Sequence, residues 1–502
     1  MEIFEILCGI VAVILLLYYY LTSTFDFWQL RGVRGPRPMP IFGNLKDILF
    51  GKISWCNYLM KLCEDYKTES VIGIFAQRTP VLVVKDLDLV KDILIKDFPT
   101  FADRGFTIHE KSEPLSQHLF NLEPKRWRPL RTKLSHMFTP HKLKKMFSLI
   151  LECSDHLLDY MEKLVSKNES IECLELMAKY TTDIIGNCVF GVEINSMSNK
   201  NSEFRRIGRN VFHPPWSDLL RAKIKVLSPR LYDILGYILP DTEITSFFTR
   251  LVVDTMDYRD KNNIVRNDFI DMLRELKKHS DKMDEIEFTD SMLASQAFLF
   301  YAAGFETSST TMANILYELA LHQKIQDKLR EEIDEKYVKY DGIFTYENIK
   351  TIEYFDKVFK ETLRKYPPGM FYERKTTSSY TFNNAEKIHI PKGQKIWIPV
   401  FVLQHDPCVY PDPEVFDPER FNEEAVKNRH PMSFISFGDG PRNCIGSRFA
   451  ICQSKLGLIK ILRNYKFEPC EKTDIPYALN YETIIASPKN GIHLRIIKIN
   501  RA

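Results

Sequence analysis

Net charge is nearly absent from this sequence: 69 Lys and Arg against 66 Asp and Glu leave +3 over 502 residues. A dedicated nucleic-acid binder needs concentrated basic surface, so the balance excludes that class. Cysteine pairing motifs are missing too. The ten cysteines are scattered, with no Cys-x-x-Cys among them. Structural zinc wants clustered ligands, and disulfide frameworks belong to short secreted chains, so nine of the ten read as reduced, mostly buried thiols. Beyond about residue 45 there is no internal repeat, no low-complexity tract and no linker that would divide the chain. Hydrophobic residues at 44% and charged residues at 27% match folded proteins, which excludes a disordered, collagen-like or fully membrane-embedded chain. The 12% aromatic content supplies a large apolar core or pocket.

What is present begins with one uncharged run, Ile6 to Leu21, 16 residues long. A spanning helix needs about 20 apolar residues and a signal h-region about 7–15, so length alone decides nothing. The flanks decide. Only Glu2 and Glu5 precede the run, no small-x-small cleavage site follows it, and Arg31, Arg34 and Arg37 come after. The positive-inside rule then predicts an uncleaved anchor over residues 1–24, N-terminus lumenal and the remainder cytosolic. A basic, proline-rich linker is expected over 25–44, stiffened by Gly35-Pro36-Arg37-Pro38-Met39-Pro40, and a single globular domain over 45–502. The sequon Asn168-Glu169-Ser170 would face the cytosol and stay unglycosylated.

Helical periodicity dominates the globular part. It predicts helices over Asp86–Asp97, Pro140–Val165, Ile171–Phe190, Glu285–His322, Lys324–Tyr337 and Tyr346–Tyr366. Strand patterns are shorter: Val71–Phe75, Val81–Val84, Lys387–Ile390, Lys395–Val402 and Gly491–Ile497. The expected class is mainly α with small β-sheets. The apolar segment Val211–Leu239 admits two readings, ordinary core or a hairpin leaning on the membrane.

The most informative stretch is Phe437-Gly438-Asp439-Gly440-Pro441-Arg442-Asn443-Cys444-Ile445-Gly446. Three glycines permit tight turns and close approach to something flat, and an apolar helical pattern follows the lone cysteine. A helix start favours thiolate over thiol, although a lone cysteine is more often just a buried thiol. Glu361 and Arg364 stand three apart on one helix face, as Trp127 and Arg131 stand four apart, with Pro129 tolerable only in a first turn. Glu306 and Thr307 interrupt an apolar helix ahead of the hydroxyl run Ser308-Ser309-Thr310-Thr311. Such hydroxyls can bond back to helical carbonyls and bend the axis.

The cysteine stretch resembles the heme-binding loop of cytochromes P-450. Glu361-Thr362-Leu363-Arg364 resembles the family's Glu-x-x-Arg pair, Pro418-Glu419-Arg420-Phe421 its Pro-Glu-Arg-Phe motif, and Ala303-Gly304-Phe305-Glu306-Thr307-Ser308 its oxygen-activation segment. The resemblance covers essentially the whole chain and implies a cytochrome P-450 fold with a single N-terminal transmembrane helix. It implies heme b with iron ligated by the Cys444 thiolate, propionates held by Arg104, Trp127, Arg131, Arg374 and Arg442, and Glu306 and Thr307 as the catalytic proton relay. Glu361, Arg364 and Arg420 would be structural. It also implies an endoplasmic-reticulum monooxygenase facing the cytosol, fed by NADPH-cytochrome reductase, with cytochrome b5 an optional second donor. Its further partners would be membrane lipids and a lipophilic small-molecule substrate, without nucleic acid.

The basic run Lys125, Arg126, Arg128, Lys133, Lys142, Lys144 and Lys145 is either an ordinary solvated face or, near the cysteine side of the heme, a docking surface for an acidic reductase. Phe101-Ala102-Asp103-Arg104-Gly105 and Phe437-Gly438-Asp439-Gly440 are similar to insect microsomal family six, whose members process plant toxins, insecticides and some endogenous lipids. Candidate pocket segments are Phe106–Phe120, Arg206–His213, Phe298–Glu306, Gly369–Phe371 and Thr483–Ala486. The elbow departs from the common Pro-Pro-Gly-Pro, and Gly369 stands where a bulkier residue is usual. Two other readings differ in chemistry: an isomerase or dehydratase acting on peroxides or oximes, which an acid–hydroxyl pair disfavours, and an anchored heme sensor without a substrate pocket.

Overall fold

The computed structural model describes residues 2–166, 170–199, 202–212, 216–238, 243–266, 268–279, 286–382, 387–481, 483 and 485–500. Asn168 and Glu169 of the sequon and Pro214-Pro215 of the apolar segment therefore lie outside the described residues. The chain forms two compact units from interleaved segments. One comprises Met1–Gly105, Gly369–Asp406 and His430–Arg442; the other comprises Phe106–Pro368, Pro407–Arg429 and Asn443–Ala502.

The first unit is organised by a four-stranded sheet. Its strands run in the order Val71–Ala76, Thr79–Val84, Lys395–Ile398, Tyr372–Lys375, the middle pair parallel and the outer pairs antiparallel. Side chains alternate across a strand with period two, and both faces here are covered. Val71, Phe75, Leu82, Val84, Ile396 and Ile398 join one core with Trp28, Ile93, Leu94 and Phe101. Ile72, Ile74, Val81, Val83 and Trp397 join a second with Leu59 and Leu62. Alternating apolar residues thus turn into a sheet buried on two sides rather than one.

An N-terminal helix, Glu2–Thr22, precedes this sheet. Its stretch Ile3–Thr22 is 20 residues of mean hydropathy 2.3 with no residue buried, long and apolar enough to cross a membrane by length and composition. The chain after it is clamped to the first hairpin. Thr24 Oγ1 donates to Arg78 O (2.8 Å), the Arg78 guanidinium lies 3.6 Å from the Tyr20 ring centre, and Trp28 Nε1 donates to Ile74 O (2.9 Å). Gly73 makes room: a Cβ there would sit 2.4 Å from Trp28 Cγ. The prolines then keep Val33–Pro38 out of helix, as expected.

The second unit is mainly helical. The helix Pro140–Val165 has the predicted ends, whereas the expected helix from Ile171 is a two-residue strand, the helix Cys173–Ile185, and a wide π-turn at Gly186–Phe190. The long helix starts at Asp290, capped by the Thr289 hydroxyl accepting from Met292 N, and runs unbroken to Leu321, buried for most of its length. The helix Glu353–Lys365 follows a separate 3-10 turn, Asn348–Thr351. A small sheet pairs Ile171–Glu172, His493–Lys498 and Tyr465–Pro469 in that order. Proline 129 corrects the sequence reading: its helix begins at Pro124, so Pro129 stands in the second turn of Pro124–Ser135 rather than the first.

Glu361 and Arg364 are fully buried and bidentate, Nε to Oε2 and Nη2 to Oε1 both at 2.8 Å. The Glu361 carboxylate also accepts from Asp417 N (3.0 Å) and faces Arg420 Nε at 3.5 Å, while Arg364 Nη2 donates to Pro413 O (2.7 Å). This network joins the helix to the segment preceding Phe421, a structural use of buried charge.

Candidate active site

Two of the three loop glycines adopt left-handed backbone, Gly438 at φ 70° and Gly440 at φ 69°; Gly446 does not, and instead precedes the helix Ser447–Asn464. A Cβ on Gly440 would meet Leu94 O at 1.9 Å, so only glycine fits this turn. Cys444 is exposed near the start of that helix, whereas Cys56, Cys63, Cys153, Cys173, Cys188 and Cys452 are buried. Burial pushes the Cys56, Cys153 and Cys452 thiols up to about 12, leaving them inert as nucleophiles or ligands.

Three of the predicted arginines meet in the first unit around the segment Ala102–Gly105. Arg442 Nε donates to Ala102 O and Arg104 Nη2 donates to Arg442 O, both at 2.9 Å. Lys375 N donates to Asp103 O (2.8 Å), which sets the neighbouring Arg374 beside the same segment. Arg374 is 3% exposed, donates from Nη1 to Glu373 O, and its Nε is buried without a hydrogen-bond partner. Burial pushes this guanidinium down to about 10.

In the second unit Trp127 is buried, and Arg131 one turn later forks onto Asn443: Nη1 donates to its carbonyl and Nη2 to its Oδ1, both at 2.9 Å. Burial lowers Arg131, and the adjacent Cys444 opposes that shift. The structure therefore sets Arg131 against the peptide next to the cysteine, a loop-holding contact that spacing did not suggest.

Glu306 and Thr307 lie on the long helix. Glu306 is buried, and that burial pushes its carboxyl up to about 7; Arg205 opposes the rise while Glu175 and Glu172 add to it. Arg205 is itself held by Glu175 Oε2 at 2.7 Å, with Arg209 on the other carboxylate oxygen at 3.0 Å. Thr307 Oγ1 donates to Ala303 O (2.7 Å), and Ala303, Gly304 and Thr307 form an accessible strip on a helix otherwise mostly buried. With its proton committed, the Thr307 oxygen offers its lone pairs along that strip.

Aromatic side chains from the predicted pocket segments gather in this unit. Phe106 packs on Phe120 (5.5 Å), His118 on Phe298 (6.0 Å), and Phe212 on Phe305 (5.5 Å). Phe371, in the first unit, instead packs between Trp55 (5.2 Å) and Trp397 (5.0 Å), on the second face of the sheet. Of the other segments, His213 and residue 484 lie outside the described residues. Arg205 escaped the sequence reading by one residue, since the segment began at Arg206. Its only signal, an arginine on an amphipathic helix, is indistinguishable from an exposed one.

A family model described as Cytochrome P450 matches residues 33–495. The chain is 39% identical over 489 residues to Cytochrome P450 6A1 of Musca domestica, with 96% of each covered. It is 40% identical over 488 residues to Probable cytochrome P450 6a13 of Drosophila melanogaster, with 97% of each covered. Against Cytochrome P450 6B1 of Papilio polyxenes identity is 36% over 493 residues, 96% of this chain and 97% of that one. The family match over most of the chain, together with the named relatives, defines the class as the heme-thiolate monooxygenases. The chain belongs to the cytochrome P450 family and is a monooxygenase similar to the insect family-six enzymes.

Membership implies a heme with thiolate-ligated iron and a redox partner such as a reductase. The residues present fit such a group. Arg374 is a buried cation whose Nε has no acceptor, and a carboxylate is the acceptor that would complete it.

Proposed function

We propose that this enzyme binds heme b and oxidises lipophilic small molecules, among them plant toxins, insecticides and endogenous lipids, with electrons from NADPH-cytochrome reductase. The bound heme supplies dioxygen activation and oxygen insertion. Cys444 would ligate its iron, and Arg104, Arg374 and Arg442, with Trp127, would hold its propionates. Arg131 would act on the same site by fixing the Asn443 peptide beside the ligand. Glu306 would hold a proton at a carboxyl oxygen near neutral pH, and the Thr307 oxygen, its own proton committed to Ala303 O, would be open to accept from a water along the accessible strip, so that the two would pass protons inward. The aromatic side chains exclude bulk water and favour apolar substrates. The single observation carrying this reading is Glu306, a buried acid poised at about 7 beside a hydroxyl whose own proton is already committed.

The apolar helix followed by Arg31, Arg34 and Arg37 supports anchoring in the endoplasmic reticulum with the catalytic part on the cytosolic face. Lys125, Arg128, Lys133, Lys144 and Lys145 are exposed and supply charge for an acidic reductase, and for cytochrome b5 as a second donor; Arg126 is instead spent on Glu123 and Glu110. The test is reconstitution with reductase and NADPH, using flavonoids, insecticides and fatty acids as substrates and Cys444→Ala as the blank. Products one oxygen atom heavier, formed only with NADPH, are expected by mass spectrometry. Rearrangement of hydroperoxides or oximes without NADPH would replace this reading by an isomerase or dehydratase.

A further inference from the structure

Around Glu306 the long helix Asp290–Leu321 carries a run of side-chain donors on five consecutive carbonyls. Thr307 Oγ1 donates to Ala303 O (2.7 Å), Gln453 Nε2 to Gly304 O (3.2 Å), Ser309 Oγ to Glu306 O (3.0 Å) and Thr311 Oγ1 to Thr307 O (2.8 Å). Thr181 Oγ1 lies 3.1 Å from the remaining one, Phe305 O. Three of these donors belong to the helix itself. The other two come from outside it, Gln453 from the helix Ser447–Asn464 and Thr181 from Cys173–Ile185. They act on the two carbonyls directly before Glu306. A carbonyl has two lone pairs, so a second donor can be accepted while the helical ladder persists, and the backbone stays α-helical throughout.

Gln453 is fully buried. Its amide nitrogen also donates to Ser308 Oγ (2.6 Å), while its Oε1 is buried without a hydrogen-bond partner. Gly304 O can only accept, so the amide must present its nitrogen there, and the long helix dictates how the side chain is turned. An oxygen left unpaired in the interior is unfavourable, which makes this orientation a constraint rather than an accident of packing. Thr181 holds less firmly, because its single proton is shared with Met177 O (3.1 Å) and Ala178 O (3.3 Å). Two glycines let the three helices come this close: a Cβ on Gly304 would sit 2.5 Å from Ile185 Cδ1, and one on Gly457 would sit 2.6 Å from Tyr180 Cε1. Tyr180 in turn donates to Gln453 O (3.1 Å).

We propose that Gln453, assisted by Thr181, is a positioning residue for the monooxygenase reaction. It pins the peptide units before Glu306 so that the acid and the Thr307 hydroxyl keep one alignment for proton delivery. This rests on the roles given above to Glu306 and Thr307.

The test uses the full-length enzyme with Gln453→Leu, Gln453→Glu, Thr181→Val and Thr307→Ala, reading product formed per NADPH, hydrogen peroxide, heme content and backbone amide exchange. Gln453→Leu is expected to keep its heme and its KM. It should exchange the Ser308 amide, whose helical acceptor is Gly304 O, about fivefold faster, the effect of one lost hydrogen bond. Product per NADPH should fall severalfold, with the missing electrons recovered as hydrogen peroxide. Thr181→Val should move both readouts in the same direction and less far. On acidification Gln453→Glu should gain more coupling than Gln453→Leu, because its carboxyl then carries a proton to donate, whereas Gln453→Leu follows Glu306 alone. Unchanged coupling and exchange in Gln453→Leu, beside an uncoupled Thr307→Ala, would overturn the positioning role alone. Heme loss with full coupling in the loaded fraction would reduce Gln453 to a packing residue and overturn it as well. Full coupling in Thr307→Ala would place the fault in the relay and remove the proposal with it, even where the exchange readout still moved.

Discussion

Arg364 and Arg374 are both arginines taken out of water, and they are treated in opposite ways. Arg364 is fully buried with a bidentate carboxylate and a backbone carbonyl around it. Arg374 is 3% exposed and donates from Nη1 to the carbonyl of its own neighbour, Glu373, with Nε left unpartnered. Burying a charge is costly unless it is paired and hydrogen-bonded. The first arrangement is complete and can only hold structure together. The second is incomplete at Nε in a way that an acidic ligand group would repair, the role proposed for it above.

The comparison breaks most visibly at Glu361. Glu361→Ala leaves Arg364 buried without its carboxylate and should cost about 3–5 kcal/mol in chemical denaturation, whether or not heme is bound. Arg374→Met should do the reverse. It removes an under-satisfied cation, so the heme-free protein should unfold at the same or higher denaturant, while heme dissociation quickens by roughly tenfold or more, as expected for one lost charge-assisted bond. Transfer to a heme acceptor would follow this. A loss of stability in the heme-free Arg374→Met protein would mean that Arg374 is a scaffold residue too.

Glu306 falls between the two, a buried acid with Arg205 only partly offsetting its burial. Its folded value of about 7 lies above the ordinary 4.5, so folding favours the neutral form. That contribution is whole at acidic pH, declines by at most about 1.4 kcal/mol per pH unit as pH rises from the ordinary value to the folded one, and is gone above it. Product per NADPH should decline over the same rise if the acid supplies protons. Glu306→Gln should flatten both profiles. The smallest effect marks the zero of the scale: Lys350 and Glu347 pair at 2.9 Å with both side chains at least half exposed, and Lys350→Ala should change stability by less than about 1 kcal/mol.

Much of this was legible along the chain, and the rest was hidden for a physical reason. The long helix announces itself because a helix buried nearly all round must be apolar nearly all round, and the cysteine loop because its turns need glycine at fixed places. The Glu361–Arg364 pair is local, three residues apart, so spacing reveals it. Gln453 and Gly304 are 149 residues apart, and no periodicity links them. The strand Tyr372–Lys375 was missed because Tyr-Glu-Arg-Lys alternates poorly, yet it pairs with the buried Lys395–Ile398 and takes its place from that partner. Strand existence there is a tertiary decision.

The contacts of Tyr20, Ser23, Thr24 and Trp28 with the first hairpin have a mechanical consequence. A slack tether would let a catalytic domain wander over a bilayer surface. Here the last turn of the apolar helix and the residues just after it are fastened to the sheet. In a bilayer, a change in thickness that tilted the helix would then act on the sheet that carries the strand of Arg374. Membrane composition would then reach the enzyme as a torque, without any lipid touching its active site.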